Sequence, residues 1–266
     1  MKDHLRQLVR DCAPLEGRNI AREYLQSRIL GAFQRAGAMT SMAFQGGTCL
    51  RFVFGLPRYS EDLDFALEGG RSEFDLGASL KAVRSELSTE DYRVELRLRE
   101  QRTVHSAMVR FPGVLYEIGL SPHPEEVLAV RVEVDTRPPS GATMDVSLVR
   151  RHVTLRLYHH DRSSLLAGKV HAVLQRPYAK GRDWYDLIWY LSDPDWPPIN
   201  VSLLNAALEQ TGWQGAALEP QTWRDAVRLR LDQLNWDRLV DDVRPFLEHQ
   251  HDVDLVRRDN VLRLLG

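Results

Sequence analysis

Asp62 and Asp64 stand one residue apart in the run Arg58-Tyr59-Ser60-Glu61-Asp62-Leu63-Asp64-Phe65, downstream of the small-residue turn Gln45-Gly46-Gly47-Thr48. If residues 61–67 form a strand, side chains alternate between its faces. Asp62 and Asp64 then share one face, while Leu63 and Phe65 point into the core. Two carboxylates on one face repel each other unless a cation lies between them. Hard divalent ions take oxygen ligands, commonly one or two carboxylates plus substrate phosphates, so the pair suits a nucleotide-bound metal. Glycine amides at Gly46 and Gly47 can approach a phosphate closely, and Thr48 is placed to cap a helix opening at Cys49-Leu50-Arg51-Phe52. Each half has an ordinary alternative: Gly-Gly before a helix is often a plain turn, and an isolated acidic pair is often just solvated. Together, in one short stretch, they place an anion site beside a metal site.

The elements that must position these residues follow from periodicity. Residues 2–12 and 16–38 read as helices, the second carrying Ile20, Tyr24, Ile29, Leu30 and Phe33 near helical spacing and stopping by Gly37. The short apolar run 42–45 is a central strand leading to the glycine turn, and a helix over 48–54 ends at Gly55 and Pro57. A further helix is expected over 73–88, with Phe74, Leu76, Leu80, Val83 and Leu87 as its buried stripe. Alternating segments at 92–99, 103–110, 114–118 and 128–135 read as strands, some antiparallel because their links are short. In the last of these Val130, Val132 and Val134 face one side and Arg131, Glu133 and Asp135 the other. Either carboxylate could therefore stand beside the aspartate pair, or serve as a solvated cross-strand partner. After the break at Arg137-Pro138-Pro139 comes a strand over 149–158. The pattern is then helical to residue 266, which predicts domains at 1–160 and 161–266.

The helical part holds a second constellation. A helix over 163–175, capped by Ser163 or Ser164, carries Lys169 on a mainly apolar face. Asp183 and Asp186, three residues apart, share a face in the first turn of the next helix. A mobile ammonium suits nucleotide phosphates, and the aspartates could hold it, position Arg182 or orient a hydroxyl. The alternative is a salt bridge tying two helices together, with Asp183 as an N-cap. Helices around 200–210, 221–234, 236–249 and 252–265 follow, with Trp213, Trp223 and Trp236 as expected packing residues.

Composition bounds the reading. Of 266 residues, 43% are hydrophobic and 27% charged, the formal net charge is −2, and no apolar run could span a bilayer. A generally cationic nucleic-acid coat is excluded, so any RNA contact must be local. The start Met1-Lys2-Asp3-His4-Leu5-Arg6 lacks an apolar signal core, and the cysteines, Cys12 and Cys49, form no disulfide framework or metal spacing. Together these predict cytoplasmic residence with no membrane partner.

The combination of glycine turn, short helix and R-x-S-x-D-x-D-F resembles the first motif of the nucleotidyltransferase fold, and most closely the AbiEii/AbiGii toxin family. Lys169, Ala172, Arg176, Arg182, Asp183, Asp186 and Leu187 resemble that family's second motif, and the likeness extends over about residues 20–190. The resemblance implies an α+β, polymerase-beta-like fold with a mixed central sheet and flanking helices, followed by a C-terminal helical domain. It also implies a toxin of a toxin–antitoxin or abortive-infection system that uses Mg²⁺ (or Mn²⁺) to transfer NMP from an NTP to RNA, notably the tRNA 3′ end. Pyrophosphate would leave and translation would be blocked, with a cognate antitoxin as partner. In that scheme Gly46, Gly47 and Thr48 hold the triphosphate, with Arg58 and Ser60 contacting phosphate or orienting the motif. Asp62 and Asp64 bind metal, and Glu133, with Asp135 in reserve, is the third carboxylate. Lys169 binds phosphate, and Asp183 is favoured over Asp186 as a further acid. Transfer to a small molecule or protein hydroxyl, and a non-catalytic nucleotide-binding module, are the competing readings.

Overall fold

The computed structural model describes residues 2–68 and 74–266. It is a mixed α/β protein whose seven-stranded sheet has the order β3-β4-β5-β2-β1-β7-β6. The strands are β1 (Met42–Gln45), β2 (Asp62–Leu67), β3 (Glu95–Arg99), β4 (Val104–Pro112), β5 (Val127–Asp135), β6 (Met144–Arg151) and β7 (Val153–His160). The helices are α1 (Lys2–Leu8), α2 (Pro14–Arg35), α3 (Gly46–Phe54), α4 (Leu76–Thr89), α5 (Val114–Glu117), α6 (Arg162–Gln175), α7 (Gly181–Ser192), α8 (Val201–Gln210), α9 (Trp223–Leu231), α10 (Trp236–Val243) and α11 (Arg258–Leu265). The chain divides into two compact units. One comprises Met1–Gly55, Tyr59–Pro138 and Val146–His159, the other Leu56–Arg58, Pro139–Asp145 and His160–Gly266.

In the first unit β1 and β2 pair antiparallel, β2 and β5 pair parallel, and β5, β4 and β3 form an antiparallel series. The parallel β2–β5 pair, separated in sequence by β3 and β4, is what returns the chain to the aspartate strand. Phe33 of α2 meets Phe65 of β2 edge to face, with ring centroids 6.0 Å apart, and Phe44 of β1 lies tilted against Phe65 at 5.2 Å. Burial reaches nearly all round α2, taking in Gln26, Ser27 and Arg28 with the apolar Leu25, Ile29 and Leu30, so its polar groups need partners. Gln26 donates to the Ser60 carbonyl at 3.0 Å, and buried Glu23 receives Arg51, Arg151 at 2.9 Å and His152 at 3.5 Å. Burial alone would raise the Glu23 pKa, but His152, Arg51 and Arg151 outweigh it and hold the carboxyl down at about 2.

Several elements differ from the sequence reading. The expected strand over 114–118 is instead the one-turn helix α5 with Ile118 at its C-cap, entered through Gly113 at φ 79° and closed by amides of Leu120 and Ser121 on the Leu115 carbonyl. The expected strand over 149–158 is a hairpin of β6 and β7 turning at His152, whose φ is 57°. Helix α3 begins at Gly46, so Thr48 lies inside its first turn and Gln45 holds the cap position, without a side-chain cap bond. Asp161, not Ser163 or Ser164, caps α6, accepting from the Ser164 amide. The region around 236–249 is the short α10 followed by a 3-10 turn, and 252–265 is a 3-10 segment followed by α11. Helix α4 starts at Leu76, and the expected beginning at 73 lies outside the described residues.

The second unit packs α6 to α11 around Trp184, Leu187, Tyr190, Leu204, Val227, Leu239 and Val261, all buried. Trp184 meets Trp236 at 5.9 Å between centroids, and Tyr190 meets Trp196 at 4.5 Å. Gly181 lies so close to α10 that an added Cβ would sit 1.8 Å from the Leu239 carbonyl oxygen.

Candidate functional site

β1 delivers the chain to α3, and the antiparallel return through β2 sets Gln45 opposite Asp64. Gly46 has φ 76°, and a Cβ there would meet Asp64 Oδ2 at 2.3 Å. Glycine is thus required twice, for the backbone conformation and for the carboxylate lying against it. Thr48 is fully buried and its hydroxyl donates to the Asp62 carbonyl, so its side chain fixes the start of β2 against α3. Cys49 is buried too; burial first, then the Asp64 charge, pushes its thiol well up and leaves it unreactive.

The parallel register of β2 and β5 decides which carboxylate stands where. Asp64 is the partner of Glu133, Asp62 of Arg131 and Ala66 of Asp135. Asp62, Asp64 and Glu133 therefore lie on the sheet face opposite Leu63, Phe65 and Val132. Asp135 is one pleat further along, and its side chain accepts the Arg137 amide at 2.9 Å. Arg131 leans into the acidic group, 3.9 Å from Asp62 Oδ1 and 3.5 Å from Glu133 Oε1. Among the described residues no three His, Cys, Asp or Glu side chains form a ready-made metal-binding group. The donor chemistry nonetheless suits a hard divalent cation: carboxylate oxygens only, on one face, already attracting the positive guanidinium of Arg131.

The predicted residues of the second unit gather separately. Lys169 Nζ lies 3.0 Å from Asp183 Oδ1 and 2.6 Å from Asp186 Oδ2. Arg58 grips Asp186 bidentately, with both contacts at 2.6 Å, and Arg176 reaches Asp183 Oδ2 at 3.2 Å. Burial would lower the Lys169 pKa, but Asp186 and Asp183 raise it; burial would raise that of Asp183, but Lys169 and Arg176 lower it. Both are held charged. Asp183 lies within the first turn of α7, which opens at Gly181, so it is no N-cap. The Arg182 guanidinium stacks 4.3 Å above the Phe246 ring. Arg58 is 2% exposed, its planar group committed to Asp186. Ser60 is half-buried, its carbonyl held by Gln26.

Two contributors escaped the sequence reading. Arg131 was placed on the right face but given no task, and its register opposite Asp62 depends on a strand pairing that no local pattern encodes. Arg51 is 2% exposed, reaches back to Glu23 and stacks 4.1 Å over Tyr59 at the entry to β2. A lone arginine in a helix gives no signal of such burial.

A family model described as nucleotidyl transferase AbiEii toxin, type IV TA system, matches residues 28–258. No curated protein matches the chain. Among solved structures, a Helicobacter pylori protein whose description gives nucleotidyltransferase as its inferred activity is 18% identical. The match covers 91% of this chain and 89% of the other, with a TM-score of 0.52. JHP933 from Helicobacter pylori is 17% identical over 92% of this chain and 94% of its own, with a TM-score of 0.49. The first of these likenesses carries the fold.

Proposed function

The chain belongs to the AbiEii nucleotidyl transferase toxin family of type IV toxin–antitoxin systems, and on that premise we propose that it transfers NMP from an NTP to an RNA hydroxyl, at a tRNA 3′ end, and so blocks translation. The observation that carries this reading is the register that sets Asp64 beside Glu133 and next but one to Asp62, with Gly46 closed over the Asp64 carboxylate. Asp62 and Asp64 would hold Mg²⁺ or Mn²⁺, which when bound supplies charge neutralisation on the phosphates. The backbone at Gly46, Gly47 and Thr48, at the N-terminus of α3, receives the triphosphate. Glu133 takes the proton from the acceptor hydroxyl; the oxygen forms a bond to the α-phosphorus, the bond to the β-phosphate oxygen breaks, and pyrophosphate leaves. Arg58 and Ser60 act as positioning residues. Lys169 is assigned to phosphate and Asp183 to support of Lys169, with Asp186 and Arg182 as structural neighbours. Residues 1–160 serve as the catalytic domain and 161–266 as a helical one. An antitoxin is the expected protein partner. Among the described residues no helix is long and apolar enough to cross a membrane, in keeping with a cytoplasmic target.

The test is incubation of the purified protein with each labelled NTP, Mg²⁺ and total RNA. RNA labelling that disappears in Asp62→Asn and Asp64→Asn is expected, with near-normal folding by circular dichroism. Full labelling by either variant would sink the metal assignment. Labelling of protein or small molecules only, or NTP binding without pyrophosphate release, would replace the RNA reading.

A further inference from the structure

The polar face of the sheet does not end at the acidic group. Through the β5–β4 and β4–β3 registers Arg131 is opposite Met108, and Met108 opposite Arg97; Glu133 is opposite Ser106, and Ser106 opposite Arg99. Register partners point to the same side, so Arg131, Arg97 and Arg99 share the face of Asp62 and Asp64. The other face carries Val109, Val130, Val132 and Val134, all buried, and α4 lies against it, with a Cβ at Gly77 only 3.5 Å from Leu98. Arg97 and Arg99 are exposed, and among the described residues neither has a carboxylate partner. On the same face Glu95 is already held by Arg110 at 3.1 Å and Arg93 at 3.5 Å.

We propose that this arginine-bearing face of β5, β4 and β3 is the track for the phosphodiester backbone of the acceptor RNA, leading its end to Asp62, Asp64 and Glu133. The proposal deepens the reading above and rests on it for the identity of the acceptor. Adjacent strands lie about 4.8 Å apart, so three strand steps carry the row about 14 Å outward from β2, the reach of a few nucleotides. A chain of net charge −2 has no general attraction for a polyanion, so the attraction must be local. Arginine forks suit phosphate oxygens, and Met108, half-buried between the arginine rows, offers an apolar surface to a base or ribose. Charged residues on the edge strand β3 also discourage edge pairing, but that need does not explain Arg131, which lies on an inner strand.

The test uses the full chain without NTP and a fluorescein-labelled single-stranded RNA of about 12 nucleotides, followed by anisotropy over a salt series. Arg97→Gln/Arg99→Gln is compared with Lys81→Gln/Arg84→Gln, which removes the same charge from the exposed side of α4. The first double variant is expected to bind roughly tenfold more weakly at 0.1 M salt, with the log–log salt slope shallower by about 1.4, or about 0.7 per lost phosphate contact. The second should behave as wild type. Equal affinity and slope in both variants, or no RNA binding by wild type, would overturn the track. So would loss of binding to a poly-glutamate peptide with RNA affinity retained, which marks an acidic-protein surface. Labelled-NTP transfer is scored separately. If the first variant loses RNA affinity but wild type transfers nothing to RNA, the track stands and the enzymatic reading falls; if transfer is intact and affinity unchanged, the reverse holds.

Discussion

Gly46 shows how much a single missing side chain can decide. Its φ of 76° and the 2.3 Å approach of Asp64 Oδ2 to a Cβ position leave no room for alanine. Gly46→Ala is expected to lose about 1–2 kcal/mol of stability from the backbone alone. It should lose activity well beyond that, because the carboxylate must shift, and thermal melts beside NMP-transfer rates on the same samples would separate the two effects. Retained transfer would place Asp64 outside the reaction. Asp186 makes the complementary case. With no side-chain exposure it lies between Arg58 and Lys169, so Asp186→Asn removes a buried negative charge from both cations, although Lys169 keeps Asp183, and should cost about 3 kcal/mol in urea denaturation. Glu61→Gln, which loosens a half-exposed contact with Arg22 at 3.7 Å, should fall within about 0.5 kcal/mol. At this scale the sequence was most readable where spacing alone sets the geometry, as with Asp62 and Asp64 sharing one face of β2. It was least readable where a role depends on a distant partner, as with Thr48 turned to the Asp62 carbonyl, Arg58 to Asp186 and Arg131 to Glu133.

Elements were legible in proportion to how much local pattern determines them. β1 coincides with the expected 42–45, because an apolar run halted by two glycines admits little else. Residues 114–118 misled, since a five-residue segment that is apolar except at Glu117 fits one turn of helix as readily as a strand, and Gly113 in the left-handed region settles it. The β6–β7 hairpin was hidden because its turn is made by His152 rather than the usual Gly or Asn. The choice between Glu133 and Asp135 was open for a deeper reason. Both alternate correctly on β5, and only the parallel pairing with β2, formed across the whole of β3 and β4, puts Glu133 opposite Asp64. Helix packing gives a test at this scale. Gly181 opens α7 against α10, and Gly181→Ala would drive a methyl into the Leu239 carbonyl. The loss expected is about 1–3 kcal/mol, read as a lower urea midpoint. An unchanged midpoint would mean that α10 yields without cost.

For the molecule as a whole, the near balance of charge hides buried ion networks, and those around Glu23 and Asp183 carry signs that shape its response to acid. In the sheet-bearing unit Glu23 is held at about pKa 2 against an unperturbed 4.5, despite burial that acts the other way, because Arg51, Arg151 and His152 surround it. In the helical unit Asp183 is likewise lowered, by Lys169 and Arg176 against burial. Both are depressed carboxyls, so the folded state binds fewer protons than the unfolded chain. Their stabilisation is complete above the unfolded pKa values and disappears as pH falls through the folded ones. For Glu23 the window runs from about pH 4.5 down to about pH 2, and the shift corresponds to about 3 kcal/mol. Urea denaturation should therefore show little pH dependence from this source between pH 6 and 8 and a steep loss below about pH 4.5. Glu23→Gln should be less stable at neutral pH and show a flatter acid limb, because the group that must take up the proton is gone. If that variant kept the full acid slope, the Glu23 network would not be the group that titrates, and the loss would have to come from the remaining carboxylates, Asp183 first among them.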